Sequence, residues 1–186
     1  MGNERYWNEK FKNRGEQILP PDKMLIEHIN YLRNGSVIDI ACGDGRNTFY
    51  LLKKGFTVTG IDFSEKALER LRYFANEENL SVMTSKVDLT HNDAFKNLGL
   101  FDNAVINHYR LNTQLLESLK HHIRQEGIVY ISGFSEKHKT DSRIREIDLI
   151  QKSDIESMQN NFELIKYTET EDERGHFATY IFKRKR

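Results

Sequence analysis

The stretch VIDIACGDGRN, residues 37–47, constrains this chain more than any other. An apolar run ends in Asp39, a turn carrying Gly43 and Gly45 follows, and Arg46 opens RNTFYLLKK, which has the apolar spacing of a helix. A short apolar run suits a strand covered on both faces, and a glycine turn from such a strand into a helix belongs to a parallel α/β unit. The same turn lets a ligand approach bare backbone.

The flanking segments repeat this pattern. SVIDIA, FTVTGID, LSVMTSKVDL, FDNAVINHY and GIVYISGFS read as five strands, and FELIKYTET and HFATYIFK as a closing hairpin around Glu171-Asp172-Glu173-Arg174-Gly175. Between them, Asp22 is placed to cap a helix with Leu25, Ile29 and Leu32 on one stripe, and Ser64 to cap one with Ala67, Leu68, Leu71 and Phe74. Leu115, Leu119 and Ile123 form a further helical stripe closed by Gly127, and Ser153 with Glu156 forms a capping box. The expected fold is α/β: a doubly wound, Rossmann-like, mostly parallel seven-stranded sheet with an antiparallel C-terminal hairpin strand and helices on both faces. The sixth strand runs with the parallel set, so its turn returns to the edge where the other strands end.

At 186 residues, without repeats or long linkers, the chain reads as one domain, 1–186. Residues 1–20, before Pro20-Pro21, form an aromatic segment with Trp7 and Phe11 four apart, and residues 135–150 are polar and without clear periodicity. The 28 Lys and Arg balance the 28 Asp and Glu, so no nucleic-acid partner is expected. The longest run free of these charges is Gly127 to Ser135, too short to span a bilayer, and the N-terminus lacks the apolar core of a signal peptide. The single cysteine, Cys42, excludes an intramolecular disulfide and reads as a small filler of the turn. A soluble, cytoplasmic protein with no membrane association is expected; oligomeric state is not readable. The seven histidines show no metal-binding spacing, and no metal is expected.

In such a fold ligands sit beyond the carboxyl ends of the strands, where Gly43 and Gly45 lie. Gly43-x-Gly45 overlaps the dinucleotide fingerprint, but Thr48 stands where that fingerprint has its third small residue. Three carboxylates point elsewhere. Asp39 precedes the turn, inside the end of the strand, where a pyrophosphate is repelled; Asp62 ends the second strand, placed to accept from two ribose hydroxyls; Asp88 ends the third, placed to accept from an adenine amino group. A ribose, an adenine, a cationic amino-acid end and no phosphate describe S-adenosyl-L-methionine.

On the pieces YWNEKF, VIDIACGDGRNTFYLLKKGFTVTGIDFS, VDL, FDNAVINHY, EGIVYISGF and FELIKYTETED…GHFATYIFKRK, the chain resembles the class I S-adenosylmethionine-dependent methyltransferases, in particular the small bacterial tellurite-resistance methyltransferases. Ala41 replaces the usual first glycine, and Gln125-Glu126-Gly127 stands where Pro-Gly is common. The resemblance implies that Asp39, Ala41 and Gly43 face the methionine part, that Gly45 allows close approach, and that Arg46 and Asn47 begin the helix facing its carboxylate. It implies Asp62 on the ribose, Phe63 and Leu89 on either side of the adenine, Asp88 on its amino group, and Trp7 and Phe11 as a lid.

Methyl transfer from a sulfonium needs positioning more than acid–base machinery, and no triad is present. Catalytic candidates are His108 and Tyr109 after the fourth strand and Arg174 and His176 in the hairpin, with 135–150 as the substrate loop; simple packing roles for each stay open. The missing (D/N/S)PP(Y/F) motif argues against a nucleobase-amine acceptor. A small-molecule acceptor is expected. A nicotinamide-dependent oxidoreductase, a silent S-adenosylmethionine-binding module and a protein or RNA acceptor remain alternatives.

Overall fold

The structure, a computed structural model, describes residues 3–141 and 144–186. Seven strands form one sheet in the order β3-β2-β1-β4-β5-β7-β6. They are β1 (Ser36–Ile40), β2 (Thr57–Asp62), β3 (Met83–Lys86), β4 (Phe101–Asn107), β5 (Ile123–Phe134), β6 (Phe162–Asp172) and β7 (Gly175–Arg184). The first five pair in parallel, and β7 runs antiparallel to both β5 and β6. The strand order reverses at β1, running to β2 and β3 on one side and to β4 and β5 on the other, so the switch point lies beside β1 and its carboxyl end opens the crevice.

Helices cover both faces. On one, Val37, Val58, Val105, Tyr130 and Ile181 meet Leu25 of α2 (Lys23–His28) and Leu51 of α3 (Arg46–Lys53). α4 (Glu65–Glu77) adds Leu68 and Leu71 against Cys42 and Phe49, and α1 (Glu4–Lys12) packs on α4. On the other face, Ile38, Ile40, Ala104, Ile106, Val129, Ile131 and Phe182 meet Leu115 of α5 (Thr113–Ser118) and Met158 of α6 (Lys152–Met158). Alternate residues of β1 and β4 thus feed opposite cores, which is why these strands read as continuous apolar runs. Asp22 and Ser64 cap α2 and α4 through bonds to Met24 N and Ala67 N, as the sequence predicts. Among the described residues no helix is long and apolar enough to cross a membrane.

Four expectations need correction. The stripe Leu115–Leu119–Ile123 does not continue as one helix, because α5 stops at Ser118, one 3-10 turn carries Leu119, and Ile123 already begins β5. Gly127 is therefore no helix stop. It lies inside β5 where the pairing jumps from Phe101↔Ile123 to Asn103↔Ile128, and a side chain there would strike the Asp102 and Arg124 carbonyls at 2.7 Å. The capping box of α6 is Gln151 with Asp154, two residues before Ser153-Glu156. Strand β3 is only four residues of the predicted ten, so Asp88 lies two residues past its end. Residues 135–150 are partly anchored: Ser135 bridges Ile150, and Leu149 and Ile150 are buried. Ser142 and Arg143 of this loop lie outside the described residues.

Candidate active site

The glycine turn is built from positive φ angles, Ala41 at 57°, Gly43 at 56° and Gly45 at 93°. Left-handed backbone costs an alanine about 1–2 kcal/mol, so Ala41 is a strained position set at the mouth of the crevice. The two glycines serve different purposes. A Cβ on Gly45 would lie 2.4 Å from Leu71 Cδ1 and 3.0 Å from Phe49, so core packing by itself requires its bareness. A Cβ on Gly43 would meet only the Phe11 ring, at 3.1 Å.

Asp62 fastens this turn. Its Oδ2 accepts from Gly43 N (2.9 Å) and its Oδ1 from Ser64 N (2.8 Å). Burial raises its carboxyl above the ordinary range, while the backbone N–H groups of Ser64, Gly43 and Phe63 oppose the shift. The two carboxylate oxygens offer about four lone pairs, so acceptor capacity beyond these backbone bonds remains for a diol. Asp39 differs. It is enclosed, its Oδ2 accepts from the Thr48 hydroxyl at 2.6 Å, and burial pushes its carboxyl up to about 7 despite that bond. In this geometry Asp39 ties the end of β1 to the first turn of α3. Thr48, the residue that breaks the dinucleotide fingerprint, is its partner.

Beyond β3, Asp88 is exposed and accepts at Oδ1 from Thr90 N (2.9 Å) and the Thr90 hydroxyl (2.8 Å), bonds that hold its carboxyl below the ordinary range. Leu89 is buried beside it and Phe63 is half-buried. Tyr109 is half-buried too; burial, then the charges of Asp88, Asp62 and Asp148, push its phenol up to about 12. Asp62, Asp88 and Tyr109 thus converge electrostatically on the same edge.

The N-terminal segment lies over the turn. Trp7 and Phe11 are neighbours (centroids 5.7 Å apart), and Phe11 rests on Gly43. Asn8 Oδ1 accepts from the Ser64 hydroxyl (2.8 Å) and Lys66 N (3.2 Å). Buried Asp44, inside the glycine turn, pairs with Arg14 at 2.7 Å and Arg70 at 3.3 Å, and Arg70 also donates to the carbonyls of Arg14 and Gly15. Sequence reasoning missed this clamp because its three members lie far apart in the chain.

A second cluster occupies the edge after β4 and β5. His108 (φ 55°) donates its backbone N–H to Ser132 O at 2.7 Å and sets Nε2 3.1 Å from Asp22 Oδ2. Asp22 also accepts from Met24 N (3.0 Å), and its own N–H donates to the buried Asn47 Oδ1 (2.9 Å). Burial acts to raise the Asp22 carboxyl, but the His108 and Met24 bonds and the Arg46 charge, whose guanidinium lies 3.9 Å away, bring it down to about 2. Arg46 Nε is buried without a hydrogen-bond partner. Phe134 and Phe177 pack with their rings tilted, centroids 4.6 Å apart, and wall the His108 ring, whose centroid lies 6.0 and 5.6 Å from theirs. His138 covers Phe134 at 4.3 Å, and Arg174, paired with Asp172, lies 4.8 Å from the Phe177 centroid.

His176 is not brought to this cluster. Successive strand residues face opposite sides, so His176 turns away from Phe177 and pairs with Glu171 at 3.3 Å. Of the four catalytic candidates, His108 and Arg174 share the aromatic cluster, and Tyr109 stands toward Asp88. Cys42 is buried, with a thiol pushed well up by burial and the surrounding carboxylates, consistent with a filler. Phe134, His138 and Phe177 were missed because only the pairing Phe134↔Phe177 reveals them.

The family described as tellurite resistance protein TehB matches residues 2–177. An uncharacterised methyltransferase of Schizosaccharomyces pombe is 31% identical over 111 residues, 56% of this chain and 75% of that protein. A probable S-adenosyl-L-methionine-dependent methyltransferase TehB of Haemophilus influenzae is 23% identical over 164 residues, 80% of this chain but only 57% of that protein. The crystal structure of TehB from Haemophilus influenzae superposes with a TM-score of 0.73 at 20% identity, covering 98% of this chain and 67% of that one. A magnesium protoporphyrin IX methyltransferase from Synechocystis, solved with bound S-adenosylmethionine, gives 0.64 at 17% identity, with coverage of 97% and 79%.

Proposed function

Because the chain belongs to the tellurite resistance protein TehB family and is an S-adenosylmethionine-dependent methyltransferase, we propose that it methylates a small molecule at the edge between α1 and the β6–β7 turn. When bound, S-adenosyl-L-methionine supplies a methyl group on a sulfonium, whose sulfur is a good leaving group. The residues fit such a group. Asp62 is fixed by the backbone N–H groups of Gly43 and Ser64 at the strand end with acceptor capacity left over, and this single observation carries the assignment of the ribose.

Asp88, Leu89 and Phe63 form the adenine end of the proposed site, with Tyr109 at its border. Gly43, strained Ala41 and the α3 start at Arg46 and Asn47 form the amino-acid end, and Asp39 acts by holding the turn through Thr48. Trp7 and Phe11 cover the site from α1 and exclude water. Arg174 and His108, with the Phe134 and Phe177 walls, would receive the acceptor; in-line displacement then depends on holding acceptor and methyl about 3–3.5 Å apart. The expected location remains the cytoplasm, which cell fractionation tests.

Calorimetric titration of the purified protein with S-adenosylmethionine, S-adenosylhomocysteine and NADH tests this reading. Micromolar binding of the first two and none of the third is expected. Binding of NADH alone would overturn the site assignment.

A further inference from the structure

We infer that His108 is the general base of methyl transfer and Asp22 the residue that orients it, so the acceptor is a molecule whose nucleophilic atom arrives carrying a proton. The inference rests on the methyltransferase reading above and adds a role and a substrate class to it.

Asp22 does more than cap α2. Its Oδ1 is taken by Met24 N and its backbone is pinned by Asn47, so the carboxylate cannot swing, and its Oδ2 meets His108 Nε2 at 3.1 Å. An ionised carboxylate only accepts, so Nε2 carries the hydrogen and the lone pair of the neutral ring stays on Nδ1. A base held in one tautomer by a fixed carboxylate is the arrangement that activates a protonated nucleophile. The backbone supports a functional placement. His108 sits at φ 55° just past β4, a region that non-glycine residues occupy at a cost, and strain of this kind collects at working sites. Phe134 and Phe177 enclose the ring on the sheet side, while about a quarter of the side chain stays open at the carboxyl edge.

The charged and titratable groups around the imidazole are Asp22 ahead of α2, Arg46 from α3, Arg174 with Asp172 from the hairpin turn, and His138 across Phe134. Among the described residues, Asp22 is the one at hydrogen-bond distance from the ring. In the proposed step the acceptor's X–H bond breaks and its proton passes to His108 Nδ1. The freed electron pair forms the bond to the methyl carbon, and the C–S pair stays on sulfur to leave neutral S-adenosylhomocysteine. The imidazolium, balanced by Asp22, then releases its proton to water.

Long-range 15N–1H spectra of the imidazoles, recorded where the rings are neutral, test the orientation without any acceptor. His108 is expected to be protonated at Nε2 and bare at Nδ1 in the wild type, and to lose this single tautomer in Asp22→Asn, which keeps the helix cap. Protonation at Nδ1 in the wild type overturns the proposal. Turnover is then followed with radiolabelled methyl donor and 2-mercaptoethanol, catechol and histamine as thiol, hydroxyl and amine probes. His108→Asn, chosen because asparagine tolerates positive φ, should lower kcat about 100-fold or more on the accepted probe. Its affinity for S-adenosylmethionine should stay within about threefold, and the lost rate should return as pH rises and the probe ionises itself. Asp22→Asn should lower kcat about tenfold with KM little changed and an altered pH profile. A loss equal at every pH, no loss, or a wild type that binds the donor yet methylates no probe overturns the base assignment. Failure to bind the donor overturns the methyltransferase reading instead.

Discussion

Replacing Asp39 by asparagine tests the physical reading of the glycine turn. The carboxyl is enclosed between β1 and α3, hydrogen-bonded to Thr48, and raised from an ordinary 3.8 to about 7, first by burial and further by the charge of Asp62. Between these two values the native state holds a proton that the unfolded chain has released. Stability from this group is therefore full below about pH 4 and declines by about 1.4 kcal/mol per pH unit until about pH 7. The roughly three-unit span gives a ceiling of about 4 kcal/mol. Asparagine keeps an acceptor for Thr48 and has no charge to desolvate, but its NH2 needs a partner, so we expect about half the ceiling to be recovered at pH 8. With a urea m-value of about 2 kcal/mol/M, Asp39→Asn should raise the denaturation midpoint by about 1 M at pH 8 and, because the same NH2 penalty acts against the protonated carboxyl, lower it by about 1 M at pH 4. Parallel wild-type and variant midpoints across that pH range, or a variant weaker at pH 8 than at pH 4, would refute the reasoning.

Three further outcomes are expected. Asp62→Ala removes charge-assisted bonds of about 1.5–3 kcal/mol and should weaken S-adenosylmethionine binding about ten- to over a hundredfold by calorimetry; unchanged affinity in a folded variant would sink the ribose assignment. Gly45→Ala must place a methyl 2.4 Å from Leu71 at φ 93° and should cost about 2–4 kcal/mol in urea denaturation. Arg14→Ala breaks one arm of the Asp44 clamp, and losing about 1–2 kcal/mol there should speed amide exchange across α1 about five- to thirtyfold while leaving β1 and β4 unchanged.

The parallel core was legible because each of its strands feeds two apolar faces: Val37 and Ile38, or Val105 and Ile106, must both be greasy. The caps were legible because Asp22 and Ser64 act locally. Strand β3 was overextended because its residues Met83–Lys86 are an edge sequence, whose apolar pattern carries little of the burial. Ile123 and Gly127 were misassigned because the spacing that continues a helix also suits a strand start, and the register jump beside Asp102 leaves no local mark. At the site, residues at strand ends were readable from the fold class alone. Asp44 with Arg14 and Arg70, Thr48 with Asp39, and His108 with Asp22 were not, since each couples an element to a distant one through side chains that look like ordinary surface charges or caps. His176 was expected near the pocket because the hairpin turn returns to the strand-end edge, but strand alternation sets its side chain opposite to that of Phe177.

The most direct test of the account is a crystal structure of the complex with S-adenosylhomocysteine. The account predicts both ribose hydroxyls at about 3 Å from the two Asp62 oxygens, the adenine between Phe63 and Leu89, and the sulfur directed toward His108. A ribose held elsewhere, with Asp62 bonded only to Gly43 and Ser64, would contradict it.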